Sequence, residues 1–301
     1  MALRHHPTQI VLKDLIALKQ RAELFALPQT GKRSTTGFGS TFSPFKSRGL
    51  DFQEVRVYQP GDDIRQIDWH VTAKYGKPFT KLYTEEKERT IFFVVDLRNN
   101  MHFATHGDFK DVIAARLTAF MAFMAEHQKD KIGYIVITDK GLTSSGDADA
   151  YGVLTPLLNA MTGDAKYTAS DNPFRAACQM LTQLLSPGSF VFLFSDFYDW
   201  TNEHTQILAP MSDKITFLFC PIYDDLEANL PDDILPFSDG TETILVQADH
   251  PKIRQQFYND WQKRTKILQE AARKYTWGLL PIKTDMDYIN ELSHFCFRGN
   301  E

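Results

Sequence analysis

Cysteine is scarce in this chain of 301 residues, and its three copies are widely separated: Cys178, Cys220 and Cys296. An odd number of distant cysteines excludes a disulfide framework and a zinc site built from closely spaced cysteine pairs. Cys178 lies in a helical pattern and Cys220 ends an apolar strand, so we expect both to be buried as small hydrophobic residues. The sequence places no histidine base beside either thiol, and a cysteine nucleophile is therefore not indicated.

Long apolar runs are also absent. No run approaches the roughly 18–20 residues that span a bilayer, and the first residues lack the apolar stretch of a signal peptide. We therefore expect a cytoplasmic protein without membrane insertion. An excess of positive charge is missing too, since the net charge is −5, and this argues against nucleic-acid binding. The apolar fraction of 43%, with 23 Phe, predicts a folded protein.

Common cofactor motifs are missing as well. A Walker loop requires Gly-Lys-Ser/Thr, but Gly31 and Lys32 are followed by Arg33. The nine histidines include no pair with the spacing His-Glu-x-x-His. We therefore expect no cofactor. The basic stretch from Lys32 to Arg48 is interpreted as a solvated loop, with an acidic partner surface or local nucleic-acid binding as the alternatives.

Apolar strands alternate with amphipathic helices through most of the chain. Residues 91–95 form an uninterrupted apolar run before Asp96, which is typical of a strand covered on both faces. Further strands are predicted at residues 132–137, 190–194, 215–220, 242–247 and 277–282. Helices are predicted at residues 12–25, 109–124 (capped by Asp108), 151–161, 172–185, 252–274 and 286–295. This order predicts an α/β fold, an open and mostly parallel sheet with helices on both faces.

An ordered polar pattern runs from Gly49 to Trp69. Its charged and turn residues are Glu54, Arg56, Gly61, Asp62, Asp63, Arg65 and Asp68. Strand geometry places Glu54 and Arg56 on one face, ~7 Å apart, where they can pair. Pro60-Gly61 predicts a turn, and Asp62 or Asp63 is suited to cap a short helical segment.

Two interpretations of this pattern stay open. On the short helical segment Arg65 and Asp68 can pair at a spacing of three residues. The charged residues then form a structural ion-pair network, which we favour slightly, or they contact a partner protein directly. Paired catalytic carboxylates at Asp62 and Asp63 are less well supported, because adjacent side chains diverge in both strands and helices. In either interpretation Trp69 is expected in the core.

The run from Asp51 to Trp69 resembles the signature of the bacterial domain-of-unknown-function 58 family, whose members are similar to von Willebrand factor A-type proteins. The resemblance implies a von Willebrand factor A-like fold and, as a partner, an AAA+ ATPase of the MoxR type. It implies no reaction. Together with the strand and helix order it predicts an N-terminal helix and mobile loop (1–48), a small β-rich subdomain (49–89) and a von Willebrand factor A-like domain (90–301).

A-type domains place a metal-ion-dependent adhesion site at the carboxyl edge of the sheet, from Asp-x-Ser-x-Ser, a threonine and a later aspartate. The positions that match are Asp96, Asn100 in place of the second serine, Thr168 and Asp196. Arg98 stands where the first serine is expected, and a guanidinium cannot ligate a metal because it has no acceptor atom. The site is therefore predicted to be degenerate, with Arg98 neutralising Asp96, and Asp196 as a further partner, in place of the ion. The alternative is a weak Mg²⁺ site completed by water.

These observations favour a non-enzymatic interaction or adaptor protein that works with a MoxR-type AAA+ ATPase in the assembly or remodelling of complexes. The alternative is a magnesium-dependent hydrolase or phosphoryl-transfer enzyme that uses Asp96 and Asp196. Against this alternative, haloacid-dehalogenase-like phosphatases require a second aspartate two residues after the first, where this chain has Arg98.

Overall fold

The computed structural model describes seven stretches of the chain: residues 6–25, 51–60, 62–84, 90–162, 168–170, 172–238 and 243–297. By its internal contacts the chain divides into two compact units. The smaller unit contains the described residues between 51 and 84, and the larger unit contains all the others. The boundaries 1–48, 49–89 and 90–301 stay a prediction.

The smaller unit is a β-hairpin with a helical insertion. Its strands, β1 (Asp51–Val57) and β2 (Phe79–Thr84), pair antiparallel. Between them lie a short 3₁₀ turn (Ile64–Gln66) and the helix α2 (Trp69–Tyr75). Gly76 ends α2 in the left-handed region, with φ of +67°, a conformation that glycine adopts without steric cost.

The larger unit is organised around one sheet. Its strands are β3 (Thr90–Asp96), β4 (Lys131–Thr138), β5 (Gly141–Ala148), β6 (Phe190–Ser195), β7 (Thr216–Tyr223), β10 (Gly278–Leu279) and β11 (Ile282–Lys283). The spatial order is β10-β7-β6-β3-β4-β5, and β11 also pairs with β7. Every pairing is parallel except that of β4 with β5. The prediction of an α/β fold with a mostly parallel sheet is confirmed.

Helices cover both faces of this sheet. One face packs against α1 (Leu12–Phe25), α3 (Lys110–His127), α4 (Ala150–Thr162) and α9 (Tyr288–Phe297). The other face packs against α5 (Pro173–Leu184), α6 (Asn202–Leu208) and α8 (Pro251–Tyr275). Strand β3 contributes side chains to the hydrophobic core on each face of the sheet, because Phe93 points to the first face and Phe92 to the second. None of the helices in the described stretches is long and apolar enough to cross a membrane.

Several local predictions need correction. Asp108 does not cap α3; Phe109 holds the cap position, and the Asp108 carboxylate accepts a hydrogen bond from the Tyr288 hydroxyl. The strand predicted at 277–282 is two short strands, interrupted at Pro281, which has no N–H to donate to a ladder. The strand predicted at 242–247, observed as β9 (Thr243–Gln247), pairs with β8 (Ile234–Ser238) outside the main sheet.

The three cysteines are free and buried. Burial raises the pKa of the Cys178 thiol to about 12 and that of the Cys220 thiol well above its ordinary value. Both therefore remain protonated near neutral pH, as expected for small hydrophobic core residues rather than nucleophiles.

Candidate functional site

The direction of the sheet connections reverses between β3 and β6. From β3 the chain moves to β4 on one side, and it then returns to form β6 on the other side of β3. The carboxyl ends of β3 and β6 therefore meet at a topological switch point, where open α/β sheets bind ligands. Asp96 ends β3, while Ser195 and Asp196 lie at the end of β6 and just after it.

Asp96 is fully buried, and donors from two strand ends engage both of its oxygens. Arg98 donates from Nε over 2.9 Å, from Nη2 over 2.7 Å and from its backbone N–H over 3.1 Å. The Ser195 hydroxyl donates over 2.7 Å. Burial raises the pKa of Asp96, and the bonds from Arg98 and Ser195 oppose that rise. Because three N–H groups of Arg98 and the Ser195 hydroxyl all donate to its oxygens, we assign Asp96 as a carboxylate paired with Arg98.

Arg98 bridges two carboxylates. Besides Asp96 it contacts Asp199, through Nη1 over 2.7 Å and Nη2 over 3.1 Å, and its guanidinium lies 5.3 Å from the ring centre of Phe174. Burial alone would lower the pKa of Arg98, but its bonds to the two carboxylates raise it. The sequence hypothesis paired Arg98 with Asp96 and extended the pairing to Asp196. The described contacts of Arg98 are with Asp96 and Asp199.

Lys110 provides a second buried cation that sequence analysis missed. Its side chain is 0% exposed, and Nζ lies 3.0 Å from Oδ2 of Asp196 and 2.6 Å from Oε1 of Glu227. Burial alone would lower the pKa of Lys110, but these two carboxylates raise it above its ordinary value. Lys110 is the first residue of α3, where the helix dipole disfavours a cation. A lysine in the first turn of a predicted helix is thus the feature of the sequence that could have indicated a carboxylate near Lys110.

The structure brings together three of the four predicted metal-ligand positions. Asp96 and Asp196 lie at the same sheet edge, and the Asn100 amide nitrogen donates to both Asp196 oxygens over 3.0 Å. Thr168 lies apart, where its backbone exchanges two hydrogen bonds with Leu142. No described contact joins the Thr168 side chain to Asp96 or Asp196.

We call this group the switch-point cluster: Asp96, Arg98, Asn100, Lys110, Asp196, Asp199 and Glu227. It contains four acids and two bases, and each base bridges two acids. Within the described stretches, no group of three or more His, Cys, Asp or Glu side chains has the arrangement of a metal site. In this arrangement two cationic side chains lie among the carboxylates.

A separate buried carboxylate, Asp224, holds the loops beside the cluster. It accepts hydrogen bonds from the backbone and hydroxyl of Thr105 over 2.8 and 2.7 Å, and from the Thr284 hydroxyl over 2.7 Å. The N–H of Leu226 donates over 3.0 Å. Burial would raise the pKa of Asp224, but these four donors lower it below its ordinary value. Asp224 therefore joins three chain segments as an ionised group.

Replacing Asp224 by asparagine should lower the free energy of unfolding by about 1–3 kcal/mol at pH 7, because two of the four donors then face an amide nitrogen instead of an acceptor. The folded-state pKa is depressed, so the stabilisation is complete above the unfolded-state pKa of about 3.9 and is lost as pH falls below it. Urea unfolding at pH 7 and near pH 3 measures both effects. The exposed control Asp260→Asn should change little, and a deficit that does not shrink in acid would contradict this assignment.

The polar pattern of the smaller unit forms local pairs and caps. Arg56 and Asp62 form an ion pair at 2.6 Å, and Asp62 also accepts from the N–H of Gln59. Asp63 caps the 3₁₀ turn through the N–H of Arg65. Asp68 caps α2 by accepting hydrogen bonds from the N–H groups of residues 70 and 71. Of the two predicted cap residues, Asp62 and Asp63, the structure shows Asp63 in that role.

Gly61 lies outside the described part of the chain, and so does the side chain of Glu54. The placement of Trp69 in the core is wrong, because its side chain is 67% exposed. Trp69 begins a seven-residue helix with no buried residue among its members, so no packed face is available to cover the indole.

Comparison with known proteins gives the family. Residues 54–267 match the family model described as protein of unknown function DUF58. Relatives include an uncharacterized protein from Mycobacterium bovis and two from strains of Mycobacterium tuberculosis. Each is 22% identical over 298 residues, covering 96% of this chain and 93% of the relative. The family resemblance found in the signature is confirmed, and the chain belongs to the DUF58 family of proteins of unknown function.

Proposed function

We propose that this protein is a non-enzymatic interaction module with a von Willebrand factor A-like domain, in which two buried cationic side chains take the place of a divalent ion. One observation carries the proposal: Arg98 and Lys110 each bridge two of the four carboxylates at the switch point. The sheet edge then keeps a fixed geometry without a metal, and it is available as a protein-binding surface.

The donor set explains why a metal is disfavoured. Magnesium prefers oxygen ligands in octahedral geometry, whereas Arg98 and Lys110 present only N–H donors. The Asn100 amide nitrogen, rather than its oxygen, faces Asp196. A divalent ion would have to displace a buried ammonium or guanidinium from its carboxylates, which leaves a buried charge without compensation.

The same contacts weaken the alternative of a magnesium-dependent hydrolase or phosphoryl-transfer enzyme. Its nucleophile would be Asp96, which is fully buried and engaged by Arg98 and Ser195. The second carboxylate, Asp196, has a side chain that is only 6% exposed and holds Lys110. A carboxylate nucleophile needs an open path and a free oxygen. Burial denies Asp96 the path, and the oxygens of Asp196 already accept from Lys110 and Asn100.

The proposed partner is an AAA+ ATPase of the MoxR type, by the family resemblance of the signature. The experiment is affinity capture of the tagged protein from its native cell, followed by mass spectrometry. Loss of the ATPase in a folded Asp62→Ala or Arg65→Ala variant would indicate that the signature contacts the partner. Unchanged capture would mean that the Arg56–Asp62 pair and the caps are structural.

Metal independence gives the direct test of the proposal. Calorimetric titration of the wild-type protein with Mg²⁺ should give no binding heat, and its melting temperature should be the same in Mg²⁺ and in EDTA. We expect no effect of Mg²⁺ because Arg98 and Lys110 already occupy the positions between the carboxylates, and an ion that does not bind does not change stability. A calcium-binding protein of similar size, measured in parallel, verifies that the assay detects ion binding. Micromolar Mg²⁺ binding that disappears in Asp96→Ala would overturn the proposal.

A further inference from the structure

A groove opens beside the switch-point cluster, between the carboxyl ends of β6 and β7 and the face of α8 that carries Trp261 and Leu268. Its volume is about 190 Å³, and its walls include Phe197, Tyr223, Trp261 and Leu268. A cavity of about 150 Å³ holds one benzene molecule, whereas pockets for drug-sized ligands have about 300–1,000 Å³. The groove therefore fits one large side chain rather than a nucleotide or an extended cofactor.

Arg264 gives the groove its charge specificity. Its guanidinium lies 4.3 Å from the ring centre of Tyr198, which is 62% exposed. Among the described residues, no carboxylate lies within ion-pair distance of Arg264, although other arginines of the larger unit, such as Arg98 and Arg254, have one. A guanidinium stacked on a ring keeps its edge donors free for a carboxylate.

The two carboxylates in the groove wall, Asp196 and Glu227, are already engaged by donors within the protein. The side chain of Asp196 is 6% exposed, and its oxygens accept from Lys110, Asn100 and the N–H of Tyr198. Glu227 directs Oε1 at Lys110 and Oε2 at the N–H of Asp224. Both acids therefore have donors of their own, whereas Arg264 has no carboxylate partner among the described residues.

We propose that this groove binds a segment of a protein partner that carries a large apolar side chain next to an Asp or Glu. The apolar side chain fills the cavity against Leu268 and Trp261, and the neighbouring carboxylate pairs with Arg264. This inference rests on the proposed interaction function and assigns it a surface and a peptide chemistry.

The experiment uses the full chain and three matched dipeptides: acetyl-Phe-Glu-amide, acetyl-Phe-Gln-amide and acetyl-Ala-Glu-amide. Because a dipeptide buries little surface, binding is followed by nuclear magnetic resonance titration. The first dipeptide should bind, with shifts of resonances from residues that line the groove. Removing the carboxylate or the ring should each weaken binding about tenfold, the loss expected for a charged hydrogen bond or a buried ring.

Two variants assign the binding to the groove. Arg264→Met should abolish the preference for the Glu over the Gln dipeptide, whereas Arg273→Met, an exposed arginine of the same helix, should retain it. Thr265→Phe places a ring in the groove and should remove binding of both phenylalanyl dipeptides. Thermal melting of each variant verifies that it is folded.

Three outcomes would overturn the proposal: no binding of acetyl-Phe-Glu-amide to the wild type, equal binding of the Glu and Gln dipeptides, or unchanged binding by Thr265→Phe. A wild-type dimer that dissociates in Arg264→Met, measured by sedimentation, would assign the groove to a second copy of the chain and also overturn it. The dipeptide titrations do not depend on magnesium. A negative result in them would therefore reject the proposed groove ligand without rejecting the proposed metal-independent interaction function.

Discussion

Replacing Lys110 by methionine is expected to lower the free energy of unfolding by about 3–5 kcal/mol, or to prevent folding. The substitution leaves the buried Asp196 side chain and the partly buried Glu227 around an apolar side chain, without the ammonium that joins them. Equilibrium urea unfolding, followed by circular dichroism, measures the loss. The matched control is Lys263→Met, because Lys263 is 77% exposed and its pair with Asp260 should contribute no more than about 1 kcal/mol.

A rescue variant distinguishes charge from packing. Combining Lys110→Met with Asp196→Asn and Glu227→Gln removes the uncompensated charges while it keeps the volumes similar. Neutral side chains of the same shape can replace a buried ion-pair triad at little cost, so the triple variant should recover most of the lost stability. If the triple variant is as unstable as the single one, the stem of Lys110 rather than its charge is what the fold requires.

The strands and helices of the larger unit were predictable where burial on both faces imposes a strong pattern. Strand β3 is apolar from Ile91 to Val95, and strands β6 and β7 contain similar apolar runs. Strand β5 was missed for the opposite reason. Its sequence from Gly141 to Ala148 has two glycines and two serines and pairs at the sheet edge, so little hydrophobic pattern is needed.

The candidate site was predictable only in part. A carboxylate that directly follows a buried strand lies at the sheet edge, which placed Asp96 and Asp196 correctly. The contacts of Arg98 with Asp199 and of Lys110 with Glu227 join positions that are 101 and 117 residues apart in the chain. Such contacts depend on which helix packs beside which strand, and periodicity does not encode that choice. Sequence analysis therefore identified only one of the two cations of the switch-point cluster.

Substitution of Arg98 tests directly whether its guanidinium takes the place of a metal ion. Arg98→Ser is expected to lower the free energy of unfolding by about 3–5 kcal/mol in EDTA, because Asp96 and Asp199 lose the guanidinium between them. The introduced hydroxyl is an oxygen ligand, and it lies beside a buried carboxylate whose charge then needs a cation. Magnesium should therefore restore stability to this variant, by about 2.7 kcal/mol at a concentration of 100 Kd.

The control for this prediction is Arg98→Met, which lacks the guanidinium but supplies no oxygen ligand. It should be destabilised to a similar extent and regain much less stability from magnesium, while the wild-type protein should regain none. Urea unfolding of all three proteins, in EDTA and in millimolar Mg²⁺, provides the comparison. Equal magnesium effects on the serine and methionine variants would indicate nonspecific screening of the exposed carboxylates. A loss below about 1 kcal/mol in Arg98→Ser would mean that the guanidinium does not hold the strand ends together, and that Lys110 alone compensates the cluster.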